Sequence, residues 1–288
     1  MINYKTFVAN SRKFLEDYIT RNNLKSVVIG VSGGLDSTVS CALASPICKK
    51  LGIPLIGRSL PSATNNDDEH SSANACGKAF CTDYKVVTIQ GAVVGMQDSL
   101  VINEGEMTPL QLGNIKARIR MIYLRHVASI HRGVTLDNDN FTEYYLGFWT
   151  IGGDSPMDLN LGLHYLWKTE VYELAKWLHD FDASCASQNA LQALEKAINI
   201  TPTDGNGVSN GDCEQFGLKN YEEVDAVLKE LHKAQYGGSL NHEIPQEVME
   251  ELYRDYGKEG VDKTIKLHYA TSYKRNDFPI MPTKTMLI

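Results

Sequence analysis

Five residues in one short run have the types and spacing to do chemistry: Ser32, Gly33, Gly34, Asp36 and Ser37, within SGGLDS. VVIGV at 27–31 comes before them, mostly β-branched and uncharged, and reads as a strand buried on both faces. TVSCALA follows from Thr38 and reads as a helix. A strand, a glycine turn and a helix start together form an anion site. The glycines permit unusual backbone angles, and the unpaired amides of the first helical turn face the ligand. Asp36 adds the decisive detail: a carboxylate beside a phosphate cradle repels the ligand unless a metal lies between them, which points to Mg²⁺. No lysine follows the glycines, so this is not the loop that holds β- and γ-phosphates in Walker-type enzymes. A plain strand–helix connector is the bland alternative.

Other candidates follow at intervals. Arg58 ends an apolar run, and GNIKARIRMIYLRH at 113–126 reads as a helix carrying Lys116, Arg118, Arg120 and Arg125. Arg118 and Arg125 share a face, which fits either an anionic ligand or a solvated basic surface. Glu143 falls in the first turns of a helix beyond another strand, where capping is the alternative role. Asp158 follows GGDSP, and Lys168 begins a helix.

The elements that must position these residues alternate along the chain. An amphipathic helix over 4–21 carries Tyr4, Phe7, Val8, Phe14, Leu15, Tyr18 and Ile19, a stripe suited to the core or to a dimer contact. Strands are expected near 27–31, 54–60, 84–89 and 133–137, with helices between them. This is the mark of an α/β, doubly wound, mostly parallel sheet flanked by helices, with ligands beyond the carboxyl ends of its strands. Further helices are expected at 168–179, 188–198, 221–235 and 245–258. A polar loop at 204–217 could be a lid. The chain of 288 residues reads as one domain, with 43% hydrophobic and 22% charged residues, ordinary globular values. A net charge of −7 argues against nucleic acid as a partner. Six cysteines without zinc spacing, no signal peptide and no membrane-length apolar run point to a cytoplasmic protein with reduced thiols.

SGGxDS after such a strand resembles the PP-loop ATP pyrophosphatases, which cradle the pyrophosphate of ATP and attack its α-phosphate. The order SGGLDS, RSLP, GNIKARIRM, E-x3-GFWT, GD-x3-D, a lysine-led helix, a Pro-Thr loop and a terminal basic pair resembles the ammonia-dependent NAD synthetase family over about residues 25–280. The resemblance implies a Rossmann-like homodimer that adenylates the carboxylate of deamido-NAD and lets ammonia displace AMP, with ATP as co-substrate and Mg²⁺ as cofactor. It implies ATP contacts from Gly30, Ser32, Gly33, Gly34, Asp36, Ser37, Arg58, Lys168 and Thr203. Asp36 and Glu143 would hold Mg²⁺, and Asp36, Glu143 and Lys168 would be catalytic. Arg118, Asp158, Tyr273 and Lys274 would meet the dinucleotide. The family's glutamine-dependent members carry an extra glutaminase domain, and none is expected here.

The chain departs from the family's pattern at several points. Asp137–Asn138 replaces glycine–threonine, with Asn138 as the substitute ATP contact. Ile151 replaces a lysine, Tyr273–Lys274 replaces histidine–lysine, and one extra residue separates Asp158 from Lys168. Two alternatives follow: a PP-loop ligase for another carboxylic acid, or a catalytically silent nucleotide-binding homologue. The presence of both Asp36 and Glu143 weighs against the silent form.

Overall fold

A computed structural model describes residues 2–155, 157–203, 205, 207–209, 211–236 and 243–276. Helix α1 (Tyr4–Arg21) leads into β1 (Ser26–Gly30), α2 (Leu35–Leu51), β2 (Leu55–Ser59), α3 (Asp67–Phe80) and β3 (Asp83–Val86). Two helices follow, α4 (Gln90–Glu104) and α5 (Pro109–Ile130), before β4 (Gly133–Asp137), α6 (Phe141–Leu146) and β5 (Leu159–Asn160). The remaining helices are α7 (Lys168–Phe181), α8 (Gln188–Asn199), α9 (Asp212–Phe216), α10 (Tyr221–Tyr236), α11 (Gln246–Tyr256) and α12 (Lys258–Ala270).

The five strands form one sheet in the order β3-β2-β1-β4-β5, every neighbour parallel. Successive side chains of a strand point to opposite faces, and β1 shows why its sequence is apolar throughout. Val27 and Ile29 enter the core shared with α1, α2, α3, α7 and α8, while Val28 enters the core under α4 and α5. The doubly wound expectation therefore holds. A third cluster packs α6 and α9 to α12 around Phe216, Val224, Val227, Leu228 and Val261.

Several boundaries differ from the sequence reading. The first helix buries Phe7, Val8, Leu15 and Ile19, so its apolar stripe belongs to the core and gives no support to a dimer contact. Helix α5 begins before 113, because Thr108 and Gln111 close a capping box with Pro109 in the first turn. Part of the 204–217 segment is helix α9, which buries Phe216; residues 204, 206 and 210 lie outside the described set. The helix expected over 245–258 is α11, which stops before Gly257 at φ +85°, and α12 beyond it is not foreseen in the sequence. Strand β5, two residues long, is too short to show a period. No helix among the described residues is long and apolar enough to cross a membrane.

Candidate active site

A cleft of about 310 Å³ opens beyond the carboxyl ends of β1, β2 and β4, lined there by Gly30, Val31, Arg58, Ser59 and Leu136. The chain leaves β1 toward β2 on one side and places β4 on the other, which makes this the topological switch point where such sheets bind ligands. The SGGLDS loop forms its floor. Gly33 has φ +82°, and a Cβ there would lie 2.2 Å from the backbone nitrogen of Ala73. Helix α3 is held that close because Ser72 Oγ donates to the Gly33 carbonyl at 2.6 Å. Gly34 is the N-cap of α2 and no side chain caps that helix, leaving its first amides for a ligand. Ser32 and Ser37 place their hydroxyls 2.9 Å apart beside them.

The acidic pair stands next to this loop. Asp36 lies in the first turn of α2, and Glu143 in the first turn of α6. Between them sits Lys168, at the start of α7, with Nζ 2.5 Å from Asp36 Oδ2 and 3.1 Å from Glu143 Oε1. Asn140, the N-cap of α6, donates its Nδ2 to Asp36 Oδ1 at 2.9 Å and its backbone N–H to Glu143 Oε2 at 3.2 Å. Burial pushes the Glu143 carboxyl up to about 8, against the pull of Lys168 and with the help of Asp36. Burial draws the Lys168 ammonium down, but Asp36 and Glu143 outweigh it and hold the group well above its ordinary value. Despite the extra residue that separates it from Asp158, Lys168 thus lies between the two acids.

The other expected ligands divide. Asn138 lines the cleft with a buried Oδ1 that has no hydrogen-bond partner. Thr203 also lines it, its hydroxyl donating to Glu69. Arg58 reaches the cleft wall, but its guanidinium grips Asp83, at 2.8 Å from Nη2 to Oδ2, and the Gly57 and Asp83 carbonyls. That pairing holds the Asp83 carboxyl below its usual range and ties β2 to β3. Arg118 lies outside the cleft lining, with Nε on the Ile151 carbonyl. Lys274 donates to the Gly147 and Trp149 carbonyls, and Tyr273 beside it is exposed. Asp158 is engaged elsewhere. It accepts from Arg125 at 2.6 Å and from the Thr135 backbone and hydroxyl, so it fastens β4 and α5.

Sequence reasoning missed several residues. Arg120 faces the cleft from α5, held by the Leu60 carbonyl and Asn65. Two residues from Arg118, it sits on a different helix face. Asn140 was legible through its capping-box spacing to Glu143. Asp137, noted only as a departure from glycine, is buried and accepts from the Met157 backbone, Ser155 and Asn160. It thereby anchors the segment that leads into β5.

The donors suit a hard divalent cation. Asp36 and Glu143 converge with hard oxygens, and Asp139 nearby has a buried Oδ2 without a hydrogen-bond partner. Among the described residues no three His, Cys, Asp or Glu are grouped to hold a metal alone. Two carboxylates completed by substrate phosphates and water is the usual coordination of Mg²⁺.

A parallel doubly wound sheet with a Gly-Gly phosphate loop, an adjacent carboxylate pair and no Walker lysine defines a PP-loop ATP pyrophosphatase. The NAD synthase family model matches residues 7–277, and the chain belongs to that family. Its activity is that of the family: ATP-dependent carbon–nitrogen ligation in ammonia-dependent NAD synthesis. The NH(3)-dependent NAD(+) synthetase of Methanoregula boonei is 33% identical over 209 residues, 72% of this chain and 75% of that one. That of Thermoplasma volcanium is 28% identical over 232 residues, 80% and 86% of the two chains. Among solved structures, NMN synthetase from Francisella tularensis shares the fold, with TM-score 0.72 and 23% identity over 98% of this chain and all of that one.

Proposed function

We propose that the enzyme adenylates the nicotinate carboxylate of deamido-NAD in this cleft, with Mg²⁺ held by Asp36 and Glu143, and that ammonia then displaces AMP. The observation that carries this reading is the meeting of Asp36, Glu143 and Lys168 beside the Gly33–Gly34 loop. A carboxylate is a poor electrophile. Its oxygen attacks the α-phosphorus of ATP and pyrophosphate leaves; the ammonia nitrogen then attacks the acyl carbon, AMP departs with the oxygen, and a proton is lost. No side-chain nucleophile is needed, so the protein's contribution is positioning and charge. Ser32, Ser37 and the amides at the start of α2 hold the phosphates, Lys168 offsets charge on the leaving pyrophosphate, and Asn138 and Thr203 contact the nucleotide. Bound Mg²⁺ supplies Lewis-acid neutralisation of phosphate charge. Arg118, Lys274 and Tyr273, which lie outside the cleft lining, meet the part of the dinucleotide that projects from it, with Asp158 acting through the β4–α5 frame.

The enzyme is a cytoplasmic homodimer in this reading. Six free cysteines accord with a reducing compartment. Helix α4 supports the dimer, because Val93 is its one buried residue although Val94, Met96 and Ile102 are apolar and exposed. Leu110, Ile122 and Ile130 of α5 are exposed as well. An apolar surface of this kind marks an interface.

The test is a mass-spectrometric assay with ATP, Mg²⁺, ammonium and deamido-NAD. Equal amounts of NAD and AMP are expected. AMP formed only with another nicotinate acid, such as the mononucleotide, would overturn the choice of substrate.

A further inference from the structure

The four oxygens of the Asp36–Glu143 pair are all occupied from within the protein. Asn140 takes Asp36 Oδ1 and Glu143 Oε2, and the Lys168 ammonium takes Asp36 Oδ2 and Glu143 Oε1. The two partners differ in freedom. Asn140 is fully buried and serves as the N-cap of α6, its Oδ1 bound to the Glu143 N–H, so it is fixed by the helix it starts. Lys168 hangs on a four-carbon stem from the first turn of α7 and lines the same cleft as Ser32, Gly34 and Ser37.

A divalent ion at this pair needs oxygen lone pairs at about 2.0–2.1 Å. The lone pairs turned toward the gap are those the ammonium holds at 2.5 and 3.1 Å. Two cations cannot share them, since like charges a few ångströms apart in a buried site repel strongly. Taking the ammonium away with nothing in exchange would leave two buried acids uncompensated, which is equally unfavourable. An anion arriving in the adjacent phosphate loop resolves both problems, because it gives Lys168 a new partner and supplies oxygens to the metal.

We propose that Lys168 is a resident stand-in for the divalent cation: in the nucleotide-free enzyme its ammonium closes the Asp36–Glu143 pair, and the metal enters only as nucleotide phosphates draw Lys168 away. This rests on the assignment of the metal to that pair in the proposed function. The consequence is a coupling between nucleotide and metal built on one side chain. Such couplings commonly amount to roughly 5–150-fold in affinity.

Mn²⁺ serves as the probe, titrated into nucleotide-free full-length enzyme and followed by electron paramagnetic resonance and by thermal melting. Wild-type protein is expected to bind it weakly and to melt unchanged. Lys168→Met is expected to bind Mn²⁺ at least about tenfold more tightly and to gain melting temperature from it, a change within the range of such couplings. Lys168→Arg, which keeps the charge, is expected to behave like wild type. Tight binding to nucleotide-free wild type would overturn the proposal, and this arm does not depend on any variant folding. Equal affinities of wild type and Lys168→Met would overturn it too. Adding Asp36→Asn separates the two assignments. Tight Mn²⁺ binding to wild type that Asp36→Asn abolishes refutes the stand-in alone, whereas Mn²⁺ binding to Lys168→Met that Asp36→Asn leaves intact refutes both the stand-in and the metal site beneath it.

Discussion

Asp36 carries two duties at once, as an acid in the first turn of α2 and as a partner of Lys168 and Asn140. Asp36→Ala is expected to lower kcat by on the order of a hundredfold or more, the scale of losing one preorganised electrostatic contact, while far-ultraviolet circular dichroism stays unchanged. Wild-type turnover in that variant would remove Asp36 from the metal and the mechanism. Gly33 is constrained differently, by φ +82° and by a Cβ position 2.2 Å from the Ala73 nitrogen. Gly33→Ala should cost at least roughly 1–3 kcal/mol in backbone strain and weaken ATP binding, as read by urea denaturation and calorimetric titration. Gly91 in α4 has open space around its Cβ, and Gly91→Ala is the control that should leave both measurements near wild type.

Three helices meet at one buried carboxylate. Asp225 of α10 accepts from the Thr142 hydroxyl at 2.5 Å and from the Thr169 N–H at 2.8 Å, and the same hydroxyl accepts from the Lys168 N–H at 2.8 Å. Asp225 thus fastens the helix that carries Glu143 to the helix that carries Lys168. Thr142→Val keeps the shape and removes the oxygen. It is expected to lose about 1–3 kcal/mol through unsatisfied buried groups and to lower kcat more than it raises the KM for ATP. A change in stability with kcat untouched would show that this junction does not position Lys168.

A second junction responds to pH. The Tyr145 hydroxyl donates to Gln235 Oε1, Gln235 Nε2 donates to His268 Nε2, and His268 Nδ1–H donates to the Tyr145 carbonyl, linking α6, α10 and α12. One imidazole nitrogen must donate and the other accept, so His268 is neutral, and burial lowers its pKa to about 4. The unfolded histidine takes its proton near 6.5. Its contribution is therefore complete above that value and is lost as pH falls from about 6.5 toward 4, on the order of 2 kcal/mol. Denaturation measured across this window should fall more steeply for wild type than for His268→Asn. Parallel curves would mean that His268 is not the group that titrates.

At the scale of the whole molecule, the apolar outer face of α4 and α5 is the feature that a single copy leaves unexplained. Ile102 is 80% and Ile122 62% exposed, although the sheet beneath is covered by Val93, Leu124 and Val127 of the same two helices. The double substitution Ile102→Asp and Ile122→Asp is expected to shift sedimentation from dimer to monomer, because a charge in an apolar interface is buried unpaired. A wild-type dimer that the substitutions leave intact would place the interface elsewhere. The aromatic stripe of the first helix offers no substitute, since its apolar positions are already spent on the core.

What the sequence alone determined was written in neighbouring residues. The β1 strand, the glycine turn and the start of α2 follow from an unbroken apolar run, positive φ and unpaired amides, all effects that act within a few residues. The alternation of strands and helices made the parallel sheet legible, and Glu143 fell, as expected, in the first turn of a helix beyond β4. The tertiary structure decided which charges meet. Lys168 lies 132 residues from Asp36 and 25 from Glu143, and only the docking of α7 against α2 and α6 brings the three together. Arg120 faces the cleft and Arg118 does not, because the rotation of α5 on the sheet chooses between them. Arg58 and Asp158 have the residue types of ligands, yet Asp83 and Arg125 neutralise them from other elements. Pairing over such separations depends on how helices pack, and no local pattern records it.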